Sequence, residues 1–253
     1  MTNNYTFSYI ITYRHNPERI INLKKVINWV MTFTKVELIV VEQDKEKHLD
    51  GLYIPGQYIF EKSTLPFNKS NAFNVGLSYV TTPIVVFGDC DVIMNQEDFI
   101  KALNDINEYD VVNPYNNVID LTERESMLNY TDIFNIKREG RGKNDNQKVP
   151  MCGGITVFRT NAAKYLGGWN EDFFGWGCED DFESLLVKKF LKYKENDSDA
   201  YHYYHTRPAP DMNFYKRNLD LLNKLSQLDD DKLKNIIMTQ QRINGSKIRF
   251  ETY

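Results

Sequence analysis

Phe7-Ser-Tyr-Ile-Ile-Thr-Tyr13, then Arg14-His-Asn-Pro-Glu-Arg19, then Val36-Glu-Leu-Ile-Val-Val-Glu42 are the runs that decide the fold class. The first is a β-rich run, which predicts a buried first strand. Asn16 is placed to accept from the unpaired amides of a first helical turn, and Pro17, which has no amide to lose, stands at its start. Ile20, Leu23, Val26, Ile27 and Val30 then recur at helical spacing, which predicts an amphipathic helix. The third run is a second strand. Strand, helix and strand within about forty residues make a βαβ unit, which implies a parallel sheet covered by helices.

Working outward, Tyr58-Ile-Phe60 predicts a short third strand, and Phe67-Asn-Lys-Ser-Asn-Ala-Phe-Asn-Val-Gly-Leu77 a helix with Asn68, Asn71 and Asn74 on nearly one face. Ile84-Val-Val-Phe-Gly-Asp-Cys-Asp91 is a buried strand running into an acidic pair. Ligands of open α/β sheets bind at the carboxyl ends of strands, so Asp89 and Asp91 stand where chemistry is expected. Taken alone, Asp-x-Asp is equally the polar turn that follows many strands. Residues 96–105 read as a helix, and residues 111–115 and 118–121 as short strands. From Asn135 to Lys148 the periodic apolar signal vanishes and Lys137, Arg138, Arg141, Lys143 and Lys148 mix with Asn, Gly and Asp. That composition predicts a mobile surface loop, read as a lid because it abuts the next motif. Pro150-Met-Cys-Gly-Gly-Ile-Thr-Val-Phe-Arg159 is a glycine pair entering a strand.

Gly167-Gly-Trp-Asn-Glu-Asp-Phe-Phe-Gly-Trp-Gly-Cys-Glu-Asp-Asp-Phe-Glu183 leads into a helix over residues 180–191 whose Phe182, Leu185, Leu186 and Phe190 share one face. Glu179, Asp180 and Asp181 fall at its first turn, where the dipole favours negative charge. An acidic cap accounts for that much. It does not account for Gly175-Trp-Gly177, two glycines around a large aromatic, which suggest a tight bend that something approaches closely. Further on, Tyr201-His-Tyr-Tyr-His-Thr-Arg207 holds two of the chain's four histidines. His202 and His205 would face opposite ways along a straight strand, so shared ligation needs a bend there. Residues 213–228 and 230–241 read as two amphipathic helices.

Length and composition suit one large α/β domain with a helical appendage. Net charge is −4, which argues against nucleic acid or an anionic membrane as the main partner. Cys90, Cys152 and Cys178 are odd in number and widely spaced, which predicts a reducing compartment without a disulfide framework. No signal peptide or membrane-spanning run is visible, and the expected localisation is cytoplasmic.

Taken in order, these motifs resemble the glycosyltransferases of the GT-A fold, and among them the β-1,4-galactosyltransferase group. Ile10-Ile-Thr-Tyr-Arg14 is similar to that group's first strand and nucleotide-contacting arginine. Phe67-Asn-Lys-Ser-Asn-Ala-Phe-Asn-Val-Gly76 is similar to its Phe-Asn-Arg…Asn-Val-Gly helix, Asp89-Cys-Asp91 to its Asp-x-Asp, and Gly153-Gly154 to its glycine pair. Gly175-Trp-Gly-Cys-Glu-Asp-Asp181 resembles its Gly-Trp-Gly-x-Glu-Asp-Asp, the most specific of these matches. His205 falls at the place of a metal-binding histidine. The likeness spans about residues 8–218.

The resemblance implies a Rossmann-like, mixed but mostly parallel sheet flanked by helices over residues 1–210, with a nucleotide-sugar half at about 1–120 and an acceptor half at about 150–210. Residues 211–253 would be a helical C-terminal extension. It further implies inverting, metal-dependent transfer of galactose or N-acetylgalactosamine from a UDP-sugar to a saccharide hydroxyl. Mn²⁺ or another divalent cation would sit on Asp91, His202 and His205, since mixed carboxylate and imidazole ligands suit it better than Mg²⁺. Asp180 would be the general base. Trp176, Glu179, Asp180 and Asp181 would meet the acceptor, and Arg14, Phe67, Lys69, Asn71, Asp89, Asp91, Met151, Gly154 and Trp176 the nucleotide sugar. Met151 stands where the group places an aromatic that limits N-acetylated donors, so it is expected to admit UDP-GalNAc at least as well as UDP-Gal. Three positions depart from the group: Asn16 for a frequent second arginine, Cys178 for a glycine, and His202 where some relatives supply methionine. Two readings from other classes are an inactive carbohydrate-binding relative, against which both acidic motifs and the histidine speak, and a nucleotidyltransferase, for which no glycine-rich phosphate loop follows the first strand.

Overall fold

The structure is a computed structural model that describes residues 5–143, 149–206 and 211–245. It begins with β1 (Phe7–Tyr13), α1 (Arg19–Val30), β2 (Val36–Asp44), β3 (Gln57–Lys62), α2 (Lys69–Leu77) and β4 (Ile84–Asp89). There follow β5 (Val92–Met94), α3 (Gln96–Asp105), β6 (Val111–Asn113), β7 (Asn117–Asp120) and the single turns α4 (Glu123–Ser126) and α5 (Tyr130–Ile133). The chain continues through β8 (Ile155–Arg159), α6 (Thr160–Tyr165), α7 (Glu179–Phe190), β9 (Tyr193–Glu195) and β10 (Asp199–His202). It closes with α8 (Met212–Ser226) and α9 (Asp230–Gly245).

Seven strands form one sheet in the order β3-β2-β1-β4-β8-β6-β9. β3, β2, β1 and β4 run parallel, β8 opposes both β4 and β6, and β9 is again parallel to β6. This is the mixed, mostly parallel α/β sheet expected from the opening βαβ unit. Both faces are covered, which explains why every residue of β1 is buried. Phe7, Tyr9, Ile11 and Tyr13 face a core with Trp29, Phe33 and Phe99. Ile10 faces the other, with Phe73, Phe87, Trp169 and Leu186. As expected, Asn16 Oδ1 accepts from the amides of Glu18 and Arg19, although regular helix begins only at Arg19.

A second sheet, β5-β10-β7, was not foreshadowed by the sequence beyond β7. Its three-residue β5 is too short to carry a period. This sheet sets His202 in register with Val92 on one side and Asp120 on the other. The loop expected to be mobile also differs. Over residues 135–143 it is held by Arg138 on Glu125, Arg141 on Asp120, Lys137 on Asp199 and an isolated bridge between Val118 and Arg141. Its cations answer carboxylates distant in sequence, which composition does not reveal; residues 144–148 lie outside the described residues. At the other end, Leu233 and Ile237 of α9 are buried in the second core, while Gln240 and Asn244 donate to the carbonyls of Leu166, Gly167 and Gly168. The three cysteines are buried and unpaired. Among the described residues, no helix is long and apolar enough to cross a membrane.

Candidate active site

β4 ends at Asp89, and the chain turns there so that Asp91, only 1% exposed, lies against β10. The amide of Tyr203 donates to Asp91 O at 2.8 Å, which fixes the two segments together. His202 Nε2 is 3.7 Å from Asp91 Oδ1, and His205 Nε2 is 3.3 Å from Asp91 Oδ2. The bend that shared ligation required is present: β10 stops at His202, and residues 203–206 leave the sheet. That segment is pinned by Ser126 Oγ accepting from the Tyr204 amide, Asn22 donating to Tyr204 O, and Glu18 accepting from the Thr206 amide.

The three residues suit a divalent cation. Their ligand atoms lie within 4.8 Å of one another. Asp91 Oδ1 is buried with no hydrogen-bond partner among the described residues, an orphaned acceptor that a cation would satisfy. Asp120 Oδ1 lies 3.1 Å from His202 Nδ1, and His205 Nδ1 is 3.0 Å from Thr206 O. These outer contacts orient both rings with Nε2 toward Asp91. Burial holds His205 below its ordinary pKa, which favours the neutral imidazole that ligation needs. Burial alone would raise Asp91, but Arg19 and the two imidazoles hold it below the usual carboxylate range. Arg19 is the residue that sequence reasoning missed. It donates to Asp91 Oδ2 from Nε at 3.1 Å, with Nη2 at 3.0 Å. Its one visible signal is a cation in the first turn of α1, where the helix dipole disfavours it.

A second cluster surrounds Lys69, whose Nζ is 3.0 Å from Asp89 Oδ1, 3.1 Å from Asp180 Oδ1 and 3.9 Å from Glu179 Oε1. α2 supplies the lysine and the first turn of α7 two of the carboxylates. Burial raises the Asp180 carboxyl well above its ordinary value; Lys69 pulls it back, while Glu179 and Asp89 raise it further. Burial also raises Glu179. Asp181 points outward and is exposed. Gly153 approaches Asp180 from the other side: a Cβ there would lie 3.4 Å from Asp180 Oδ2. Its neighbour Gly154, at φ +79°, cannot carry a side chain, because the Tyr115 hydroxyl would sit 2.1 Å from a Cβ.

The Gly-Trp-Gly loop is the tight bend that its composition implied. Gly175, Gly177 and Cys178 have φ of +79°, +97° and +75°, and Cys178 caps α7 in the left-handed region without a side-chain bond. The Gly175 amide donates to Phe67 O, which ties the loop to the start of α2. Trp176 is 64% exposed and lies against Tyr215 of α8, with ring centroids 5.4 Å apart. Arg14 donates to Leu65 O at the carboxyl end of β1.

Two further expected positions have partners within the protein. Met151 is 1% exposed and packs in the core with Cys152 and Phe182. The tight turn before β8 points it inward, and one sequence carries no sign of that direction. Asn71 accepts from Gln43 and donates to Glu171, while Asn68 donates to Glu171 O and Asn74 to Glu171 and Trp169 O. The asparagine face of α2 thus fastens the 169–171 segment, a structural task that the same spacing serves equally well.

Comparison with known proteins bears on the family and the fold. Residues 9–167 match the family described as Glycosyl transferase family 2, and residues 143–207 the family described as N-terminal domain of galactosyltransferase. A similar curated protein is β-1,4-galactosyltransferase 5 of Danio rerio, 27% identical over 165 residues, 58% of this chain and 36% of the relative. The chain therefore spans about a third of the length of that relative. Among solved structures, a Drosophila β-1,4-galactosyltransferase 7 mutant in complex with manganese, UDP-Gal and xylobiose matches at a TM-score of 0.51 and 14% identity, over 84% of this chain and 73% of that one. S. aureus TarS 1-349 in complex with UDP-GlcNAc matches at 0.55 and 15%, over 94% and 72%. Likenesses at this identity show the GT-A fold alone. The family match over residues 9–167 covers more than half of the chain and runs through the βαβ opening, Lys69, Asp89 and Asp91, and by it the chain belongs to glycosyl transferase family 2.

Proposed function

We propose that the chain is an inverting, metal-dependent transferase that moves galactose or N-acetylgalactosamine from a UDP-sugar to a saccharide hydroxyl. The observation that carries this is the pairing of two clusters at the carboxyl end of β4: Asp91 with His202 and His205, and Asp89 with Lys69 and Asp180. Asp89 and Asp91 are two residues apart, so a group held by one cluster is presented to the other. Mn²⁺ held by Asp91, His202 and His205 would supply Lewis-acid neutralisation of the departing diphosphate. Arg14 and Phe67, at the ends of β1 and the start of α2, border the nucleotide side. Trp176 offers a flat apolar face on which an acceptor sugar can lie, with Glu179 and Asp181 in reach of its other hydroxyls.

Asp180 is the base in this reading. It takes the acceptor hydroxyl proton as that oxygen bonds to the anomeric carbon and the bond from that carbon to the phosphate oxygen breaks. A carboxyl raised by burial toward working pH holds such a proton better than an ordinary aspartate. Lys69 keeps the carboxylate ionised until the acceptor arrives and holds Asp89 in the same grip. Residues 1–210 carry both sugar sites; in the 211–253 extension, α8 braces the loop beneath Trp176 through Tyr215 and Asn218, and α9 holds the turn at residues 166–168. The test is release of UDP from a panel of sugar nucleotides with Mn²⁺, with and without saccharide acceptors. Turnover of UDP-Gal or UDP-GalNAc that stops with chelator supports the reading; equal turnover in excess chelator, or none from any UDP-sugar, overturns it.

A further inference from the structure

The cation site has a competitor built into the chain. Arg19 places Nε and Nη2 at 3.1 and 3.0 Å from Asp91 Oδ2, the same oxygen that His205 Nε2 faces at 3.3 Å. Asp91 is 1% exposed, so its single negative charge is already matched by the guanidinium. Neighbouring carboxylates are engaged too: Asp89 lies 3.0 Å from Lys69 Nζ, and Asp120 lies 2.8 Å from Arg141 Nε. Glu18 accepts from the Thr206 amide at the solvent-screened rim. A divalent cation on Asp91, His202 and His205 would bring two more positive charges against Arg19 with little buried anion to balance them. A diphosphate is the anion that would, and a guanidinium fork matches its oxygens. The Arg19 side chain is 33% exposed, so it has room to turn.

We infer, resting on the proposed transferase reading, that Arg19 makes entry of the metal and of the nucleotide diphosphate interdependent. With no diphosphate bound, Arg19 occupies Asp91 and the free protein takes up cation weakly. When a diphosphate arrives, Arg19 moves to its oxygens and Asp91 is released to the metal. Arg19 is thus a positioning residue, acting on the metal through Asp91.

The test is equilibrium binding. Mn²⁺ uptake is followed by loss of the free-ion EPR signal and UDP binding by calorimetry, each alone and with the other present, in wild type, Arg19→Gln and Arg19→Lys. Wild type should bind Mn²⁺ about tenfold or more tighter when UDP is present, and Mn²⁺ should tighten UDP by the same factor, because such coupling is reciprocal. Arg19→Gln should bind Mn²⁺ alone about tenfold tighter than wild type, with the coupling reduced to about threefold or less. Arg19→Lys keeps the charge and should keep weak uptake by the free protein. Melting curves establish that the variants are folded. If Arg19→Gln does not fold, the wild-type coupling and Arg19→Lys still decide: wild-type Mn²⁺ affinity indifferent to UDP overturns the inference. Unchanged Mn²⁺ affinity and coupling in folded Arg19→Gln overturns it as well and leaves the transferase reading standing. Wild type that binds neither Mn²⁺ nor UDP overturns that reading and this inference with it.

Discussion

Lys69→Met removes a cation that three carboxylates share while keeping most of the apolar stem. Nζ stands 3.0 Å from Asp89, 3.1 Å from Asp180 and 3.9 Å from Glu179, and the side chain is only 13% exposed. Burial would depress the ammonium, but Asp180, Asp89 and Glu179 overcome it and hold its pKa well above the ordinary value. Breaking a buried ion pair from one side costs about 3–5 kcal/mol, because the charge left behind is uncompensated. The loss is capped here, since Asp180 and Glu179, already raised by burial, can neutralise by taking a proton. Each pH unit above the folded pKa makes that proton dearer by about 1.4 kcal/mol. The expected loss of stability is therefore about 3 kcal/mol at about pH 7.5. A carboxyl whose folded pKa is raised binds its proton more tightly in the folded state, so its contribution to stability falls as pH rises through that value. Losing Lys69 raises both carboxyls further, so the deficit should shrink to about 1 kcal/mol or less at about pH 5. The ammonium's own contribution falls with rising pH as well, but only above the ordinary lysine range, since its folded pKa is raised. Urea unfolding of both proteins at the two pH values reads the difference. A loss below about 1 kcal/mol at the higher pH, or an equal loss at both, would refute Lys69 as the hub of this cluster.

Asp180→Asn should lower transfer by about 10²–10⁴ while UDP binding stays close to wild type; a rate within a few-fold of wild type would move the base elsewhere, with Glu179 next in line. His205→Ala should raise the Mn²⁺ concentration needed for half-maximal activity far more than His48→Ala, because His205 Nε2 faces Asp91 whereas the His48 ring stacks on His15 at 3.9 Å; equal shifts would separate His205 from the cation. Cys178→Gly relieves a left-handed backbone at φ +75° that costs a non-glycine residue about 1–2 kcal/mol, offset in part by the lost thiol packing. A thermal melt raised or unchanged is expected, and a melt lowered by more than about 4 °C would mean that the buried thiol outweighs the strain.

The sequence by itself determined what depends on local pattern. β1, α1 and α3 begin and end close to where their apolar periods and caps place them, because burial on one or both faces of an element writes its period into the chain. The bend at Gly175-Trp-Gly177 and the need for a bend between His202 and His205 followed from what a backbone without Cβ and a straight strand can each do. Tertiary structure alone decided which long-range partners meet. Arg19 reaches Asp91 across 72 residues and Lys69 reaches Asp180 across 111, and no local period links such pairs. The same holds for residues 135–143, whose cations read as a solvated loop until Asp120, Glu125 and Asp199 are beside them. Met151 turned inward, and Asn71 was spent on Glu171, for a shared reason. A side chain's direction is set by the neighbours that pack around it, and in a sheet assembled by crossovers those neighbours come from distant parts of the chain.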